Sequence, residues 1–165
     1  MKAIYEKRTW LVRVSFFFVL IAVDQLTKVI AKVILSTSGM LNFLGGTFRL
    51  QYTENPGVFL SLGANLAEEQ RFWIFSVLIP IFLILVSTLL FVKSTSNLFK
   101  IGLNMIVAGG IGNLIDRFYR GRVIDFMNIG IGNVRTGIFN VADIAIMIGV
   151  IIIAYETVKS QKNVY

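Results

Sequence analysis

At 165 residues, 56% hydrophobic and only 15% charged, the chain has a mean hydropathy of +0.76. It is too apolar for a soluble domain, where roughly a quarter of residues are charged, and too short for a membrane bundle plus a soluble domain of ordinary size. It has no Cys and no His, which excludes Ser/His and Cys/His nucleophile pairs, His- or Cys-ligated zinc and disulfides. A net charge of +7 would suggest nucleic acid in a soluble protein, but here the basic residues flank apolar spans, so membrane lipids are the expected partner and nucleic acid is not.

Hydropathy predicts one membrane domain over 1–165, an all-α bundle of four spans. Span one covers about 10–35, with an uncharged half from Val14 to Val23 followed by Asp24, Lys28 and Lys32. That polar second half, with no small-residue cleavage motif, separates it from a cleavable signal peptide. The connecting segment 36–70 holds an apolar/polar alternation from Thr47 to Thr53, which predicts a strand. Asn55-Pro56-Gly57 predicts a turn, and Leu62 to Phe72 a short helix on the membrane surface. Span two, about 72–92, is uncharged between Arg71 and Lys93 and long enough to cross hydrocarbon; Pro80 predicts a kink. Span three covers about 99–116, the second connecting segment about 117–135, and span four about 136–157, interrupted by Asp143.

An even number of spans puts both termini on one side. That side carries eight Lys and Arg residues and the other six, which favours cytoplasmic termini, with the arginine-rich segment 117–135 as an exception to the rule. On this topology Asp24, Asp125 and Asp143 fall toward the extracytoplasmic face.

Ionisable groups at membrane depth are costly and mark function. Asp125, in Val123-Ile124-Asp125-Phe126, and Asp143, in Phe139-Asn140-Val141-Ala142-Asp143, would together suffice to activate a water by acid/base catalysis. The structural alternative pairs them with Arg122 or Arg135, or sets Asp143 in the favourable field at the start of span four. Asn140 shares a face with Asp143 at i, i+3. Asp24 and Lys28, at i, i+4, read as an intrahelical ion pair or as support for the site. Asn55 and Gly57 belong to a turn, or bring an amide to the site. In Gly109-Gly110-Ile111-Gly112-Asn113-Leu114-Ile115-Asp116-Arg117 the small residues suit close helix approach. A phosphate loop is excluded there by the spacing and the lack of a Lys-Ser/Thr pair. Asn113, Asp116 and Arg117 share a helical face and read as a buried clamp, with Arg117 bidentate on Asp116.

Taken together, these segments with Asp24-Gln25-Leu26-Thr27-Lys28 and Asn55-Pro56-Gly57 resemble the bacterial lipoprotein signal peptidase family, also called signal peptidase II. Five motifs match in order across nearly the whole chain. The resemblance implies a four-span bundle with a small extracytoplasmic β-like cradle, in the bacterial cytoplasmic (inner) membrane. It implies an intramembrane aspartic endopeptidase acting as a monomer without metal or cofactor, on prolipoproteins whose lipobox Cys carries diacylglycerol, cleaved just before that Cys. It carries the catalytic role to Asp125 and Asp143, and supporting roles to Asp24, Lys28, Asn55, Gly57, Asn113, Asp116, Arg117 and Asn140. The chain departs from the family pattern at Val58-Phe59-Leu60 and at Met127-Asn128, which bears on loop shape and specificity, and leaves open a paralogue with altered substrate. Two other classes compete: a non-enzymatic carrier or proton relay, and a hydrolase with a carboxylate-bound metal. A relay needs polar groups spread through the membrane, whereas a peptidase needs them at one level, and an uncharged span two favours the peptidase.

Overall fold

Among the described residues, four helices are long and apolar enough to cross a membrane. In this computed structural model, which describes residues 2–58, 62–92 and 95–162, they are α1 (Lys2–Ser38), α2 (Glu68–Phe91), α3 (Asn97–Arg120) and α4 (Val141–Lys162). Phe59, Leu60 and Lys93 lie outside the described residues. Four strands, β1 (Leu41–Phe43), β2 (Phe48–Asn55), β3 (Val123–Ile131) and β4 (Val134–Arg135), form an antiparallel sheet in the order β1-β2-β3-β4. The four expected spans are thus accompanied by a small antiparallel sheet, whose strand β2 covers most of the alternating stretch from Thr47 to Thr53.

Each difference from the sequence expectation has a local cause. No separate surface helix forms over 62–72. Residues 63–65 turn, and the helix starts at Glu68 and runs on into the second span. Within that span Pro80 lacks an N–H and its ring crowds the carbonyl four residues back. The chain answers by widening: Phe72–Leu78 is π-helical, with Ile79 N donating to Ile74 O, before α-geometry resumes. Helix α3 extends to Arg120 and stops at Gly121, whose φ of +69° suits glycine and whose N–H closes on Arg117 O. Helix α4 starts at Val141 instead of residue 136, because Phe139 exchanges two 2.8 Å backbone bonds with Met127 and holds the preceding residues against β3.

Helix α3 is the central element. Its buried positions include Leu103, Ala108, Gly109, Gly112, Asn113 and Asp116, whereas α1, α2 and α4 leave rows such as Val29, Ile84 and Ile151 exposed, as lipid-facing helices do. The closest helix packing is α3 on α4. A Cβ at Gly109 would lie 2.5 Å from Ala142 O, and one at Gly112 would lie 2.6 Å from Asp24 Oδ2. Only a missing side chain permits these approaches, so the two glycines set both the α3–α4 spacing and the position of α1's carboxylate. Overpacking of this kind typically costs about 1–3 kcal/mol. Gly109→Val is therefore expected to lower the thermal midpoint in detergent clearly; an unchanged midpoint would mean that the helices part without cost.

Candidate functional site

The site begins with a charge in an unfavourable place. Lys28, on α1, is wholly buried. An ammonium has three donors and no acceptor, and all three find partners: Asp24 Oδ2 at 2.8 Å, Asp116 Oδ2 at 2.9 Å and Asn113 Oδ1 at 2.9 Å. Asp24 comes from the previous turn of α1, and Asp116 and Asn113 from α3, so the ammonium ties the two helices together. Asp24 Oδ1 accepts the Ala142 N–H at 2.9 Å, one of the donors that a helix leaves free at its start, and this brings in α4. Asp116 also accepts from Arg120.

From this anchor three asparagine amides are oriented one after another. Because Lys28 only donates, Asn113 must turn its oxygen to it, and its Nδ2 then donates to Asp143 Oδ1 at 2.9 Å. At the start of α4, Asn140 Oδ1 accepts the Asp143 N–H at 2.9 Å while Asp143 Oδ2 accepts the Asn140 N–H at 3.1 Å, a reciprocal cap on the helix. With its oxygen so occupied, Asn140 donates through Nδ2 to Asp125 Oδ1 at 2.7 Å. At the end of β2, Asn55 Oδ1 accepts the Gly57 N–H at 2.8 Å, and its Nδ2 donates to Asp125 Oδ2 at 2.9 Å. Asp125 sits on β3 opposite Thr53. All four oxygens of the two carboxyls are thus held by N–H donors, and Asn140 touches both groups.

Electrostatics and shape follow. Burial pushes the Asp125 carboxyl up to about 6; the bonds from Asn55 and Asn140 and the nearby Lys28 oppose this, and the Asp143 charge adds to it. A cavity of about 470 Å³ opens onto Asp143, Asn113 and Arg117 and runs along Ile146, Val150 and Ile151 of α4 and Ile79 of α2. It is a cleft between two membrane-length helices, polar only at the carboxylate end. Arg117, at its edge, donates to Gly57 O at 2.7 Å and lies over the Phe75 ring, so it holds the Asn55–Gly57 turn over the site.

Comparison with known proteins places the chain in a family. The family model described as signal peptidase (SPase) II matches residues 16–159. The chain belongs to the signal peptidase II family. Relatives named lipoprotein signal peptidase include those of Caldicellulosiruptor bescii, 37% identical over 91% of this chain and 90% of the relative, and Borrelia hermsii, 34% identical over 91% and 92%. A solved bacterial membrane enzyme superposes with a TM-score of 0.75 at 26% identity, covering 92% of this chain and 90% of its own.

For a signal peptidase II sequence the motifs converge closely. Asp24, Lys28, Asn55, Asn113, Asp116, Asp125, Asn140 and Asp143 form one hydrogen-bonded network, and Gly57 and Arg117 join it through the turn. Two expectations are corrected. Arg117 does not clamp Asp116, whose oxygens are taken by Lys28 and Arg120; it reaches instead for Gly57 O. Neither Arg122 nor Arg135 serves the two aspartates: Arg122 faces Glu54 at 3.7 Å, and Arg135 donates to Asn128 and to backbone carbonyls. Sequence reasoning passed over Gln25, which donates to Gly112 O at 3.0 Å and to Asp24 at 3.1 Å, although it stands beside Asp24 in the matching motif. At the departure Met127-Asn128, Asn128 is buried, accepts from Arg135 and donates to Thr136 O at 2.6 Å, which fastens the β3–β4 hairpin.

Removing Lys28 leaves the buried Asp24 carboxylate without a cation and Asp116 with Arg120 alone, and frees Asn113. Lys28→Met is expected to cost about 3–5 kcal/mol in chemical unfolding, the usual penalty for orphaning a buried charge; a loss below about 1 kcal/mol would show that Asp24 and Asp116 rest on other partners. Asp125 supplies a pH signature. Its folded value lies above the ordinary 3.8, so the folded state binds the proton more tightly, and stability falls as pH rises from 3.8 toward about 6. The stability difference between wild type and Asp125→Asn should change across that window and be flat above it; a constant difference would refute the raised value.

Proposed function

We propose that the chain is an intramembrane aspartic endopeptidase that removes the signal peptide from diacylglyceryl-modified prolipoproteins, cutting just before the lipidated Cys. The observation that carries the reading is a pair of buried carboxyls linked through Asn140, one of which, Asp143, lines the polar end of an apolar cleft that opens between helices. Relatives named lipoprotein signal peptidase supply the substrate class.

Asp125 and Asp143 share one proton, because two close carboxylates resist ionising together. The ionised carboxyl takes a proton from water as its oxygen attacks the scissile carbonyl, and the protonated one donates to the carbonyl oxygen. The C–N bond then breaks, and the proton taken from water goes to the departing amine. The chemistry is complete with two carboxyls and one water. Fixed amide donors keep both groups aimed without reorganisation during the reaction. The acyl chains of the substrate lie along Ile146, Val150 and Ile151, and its extended peptide passes beneath the turn at Asn55–Gly57, which limits access of bulk water.

On this reading the sheet forms an extracytoplasmic cradle in the bacterial inner membrane, both termini are cytoplasmic and the enzyme works as a monomer. The polar groups lie at the level of the sheet, while α2 carries no charge from Phe72 to Phe91. A proton relay would require the opposite distribution.

The test is cleavage of a diacylglyceryl-modified prolipoprotein by the purified protein. Asp125→Asn and Asp143→Asn, each with a wild-type-like melt, are expected to lose roughly a hundredfold to ten-thousandfold in rate. Near-normal turnover by either folded variant would remove that residue from the mechanism, and an inert wild type on correctly lipidated substrate would overturn the assignment.

A further inference from the structure

The sheet-bearing end of the molecule has an unusual basic composition. Segments 36–71 and 117–135 contain six arginines, Arg49, Arg71, Arg117, Arg120, Arg122 and Arg135, and no lysine, although lysines are common at the opposite end of the bundle. Four of these six line a second cavity of about 380 Å³: Arg71 from the first turn of α2, Arg117 and Arg120 from the last turn of α3, and Arg122 from the turn into β3. Glu68 is the one acid in its lining, and neither Asp125 nor Asp143 belongs to it.

The guanidinium groups are only partly spent on the protein. Arg71 uses Nη1 for the carbonyls of Ala64 and Leu66, Arg120 uses Nη1 for Asp116, and Arg122 stands 3.7 Å from Glu54. Arg117 is about nine-tenths buried, and its Nε has no partner among the described residues. A buried donor left unsatisfied is costly and calls for an acceptor.

Depth and surroundings identify that acceptor. The cavity lies where one membrane-length helix begins and the next ends. Phe72 and Phe118 line it and are exposed, and Trp73 and Tyr119, next to them in the chain, are exposed as well, aromatic residues of the kind expected at headgroup level. Planar guanidinium forks match phosphate oxygens in pairs, which ammonium groups do not.

We propose that this cavity binds the phosphodiester of an anionic phospholipid headgroup, with Arg71, Arg117, Arg120 and Arg122 as its donors. The cavity contains neither carboxyl, although it shares Arg117 with the cleft that opens onto Asp143, and the proposal stands whether or not the peptidase reading does. It also accounts for the arginine-rich segment that runs against the usual charge bias of membrane proteins.

The experiment places the full chain in phosphatidylcholine nanodiscs doped with phosphatidylglycerol, extracts it gently and counts retained lipids by native mass spectrometry. Wild type should hold phosphatidylglycerol in preference to phosphatidylcholine. Arg71→Gln/Arg122→Gln should retain it roughly thirtyfold less, given about 1 kcal/mol per basic residue near an anionic surface. Arg122→Gln alone, at an exposed side chain with one distant contact, should show a smaller loss with an unchanged melt, which separates binding from folding. Lys100→Gln/Lys159→Gln removes equal charge at the opposite end and should retain lipid like wild type. Equal retention of the two lipids, or an equal loss in the lysine variant, would overturn the proposal. So would full displacement by millimolar glycerol phosphate or inorganic phosphate, which would reassign the cavity to a soluble phosphate.

Discussion

One buried ammonium holds the assembly together. Lys28 is shut off from solvent, so each of its three N–H groups must find an oxygen in the protein, and those oxygens come from α1 and α3. Its cost of burial is offset only if the two helices meet in one register, which turns an electrostatic liability into a geometric specification. Because an ammonium cannot accept, it also determines which way Asn113 faces, and that direction is passed on to Asp143. A neutral residue of the same size would pack but would orient nothing.

The same logic recurs at Asn140 and Asn55. Each amide has its oxygen occupied by a backbone N–H close in sequence and is left with its nitrogen as the donor to a carboxyl distant in sequence. Local backbone geometry is thereby converted into long-range aim. The sheet takes part because Asn55 ends β2 and Asp125 lies within β3, so the pairing of those strands brings amide and acid together. Membrane helices alone would supply Asp143 and leave it without a counterpart.

Much of this was legible in the chain. The spans follow from hydropathy, the strand at Phe48–Asn55 from alternation, and the polar members of the network from their rarity in apolar surroundings. What the sequence concealed were choices among equivalent partners. Asp116 has Arg117 next to it and Arg120 one turn on, and spacing alone does not reveal that Lys28 takes one of its oxygens. Pro80 signals a disturbed helix, but its position alone does not reveal that the hydrogen-bond period widens over the whole of Phe72–Leu78. The segment from Leu62 to Phe72 looked amphipathic, yet Arg71 spends its nitrogen on the carbonyls of Ala64 and Leu66 and stabilises a turn there instead. The start of α4 was placed five residues early because the pairing of Phe139 with Met127 is invisible to periodicity.

The distribution of the network along the chain has a consequence for its synthesis. Lys28, Asn55 and Asn113 emerge in that order, Asp125 follows, and Asn140 and Asp143 arrive only with the last helix. A nascent chain with three helices in the bilayer therefore carries one carboxyl of the two and lacks the amide that joins them. The carboxyl pair is completed in a single late step, when the C-terminal helix packs against the glycine face of α3, and a translation product truncated before that point holds Asp125 without Asp143.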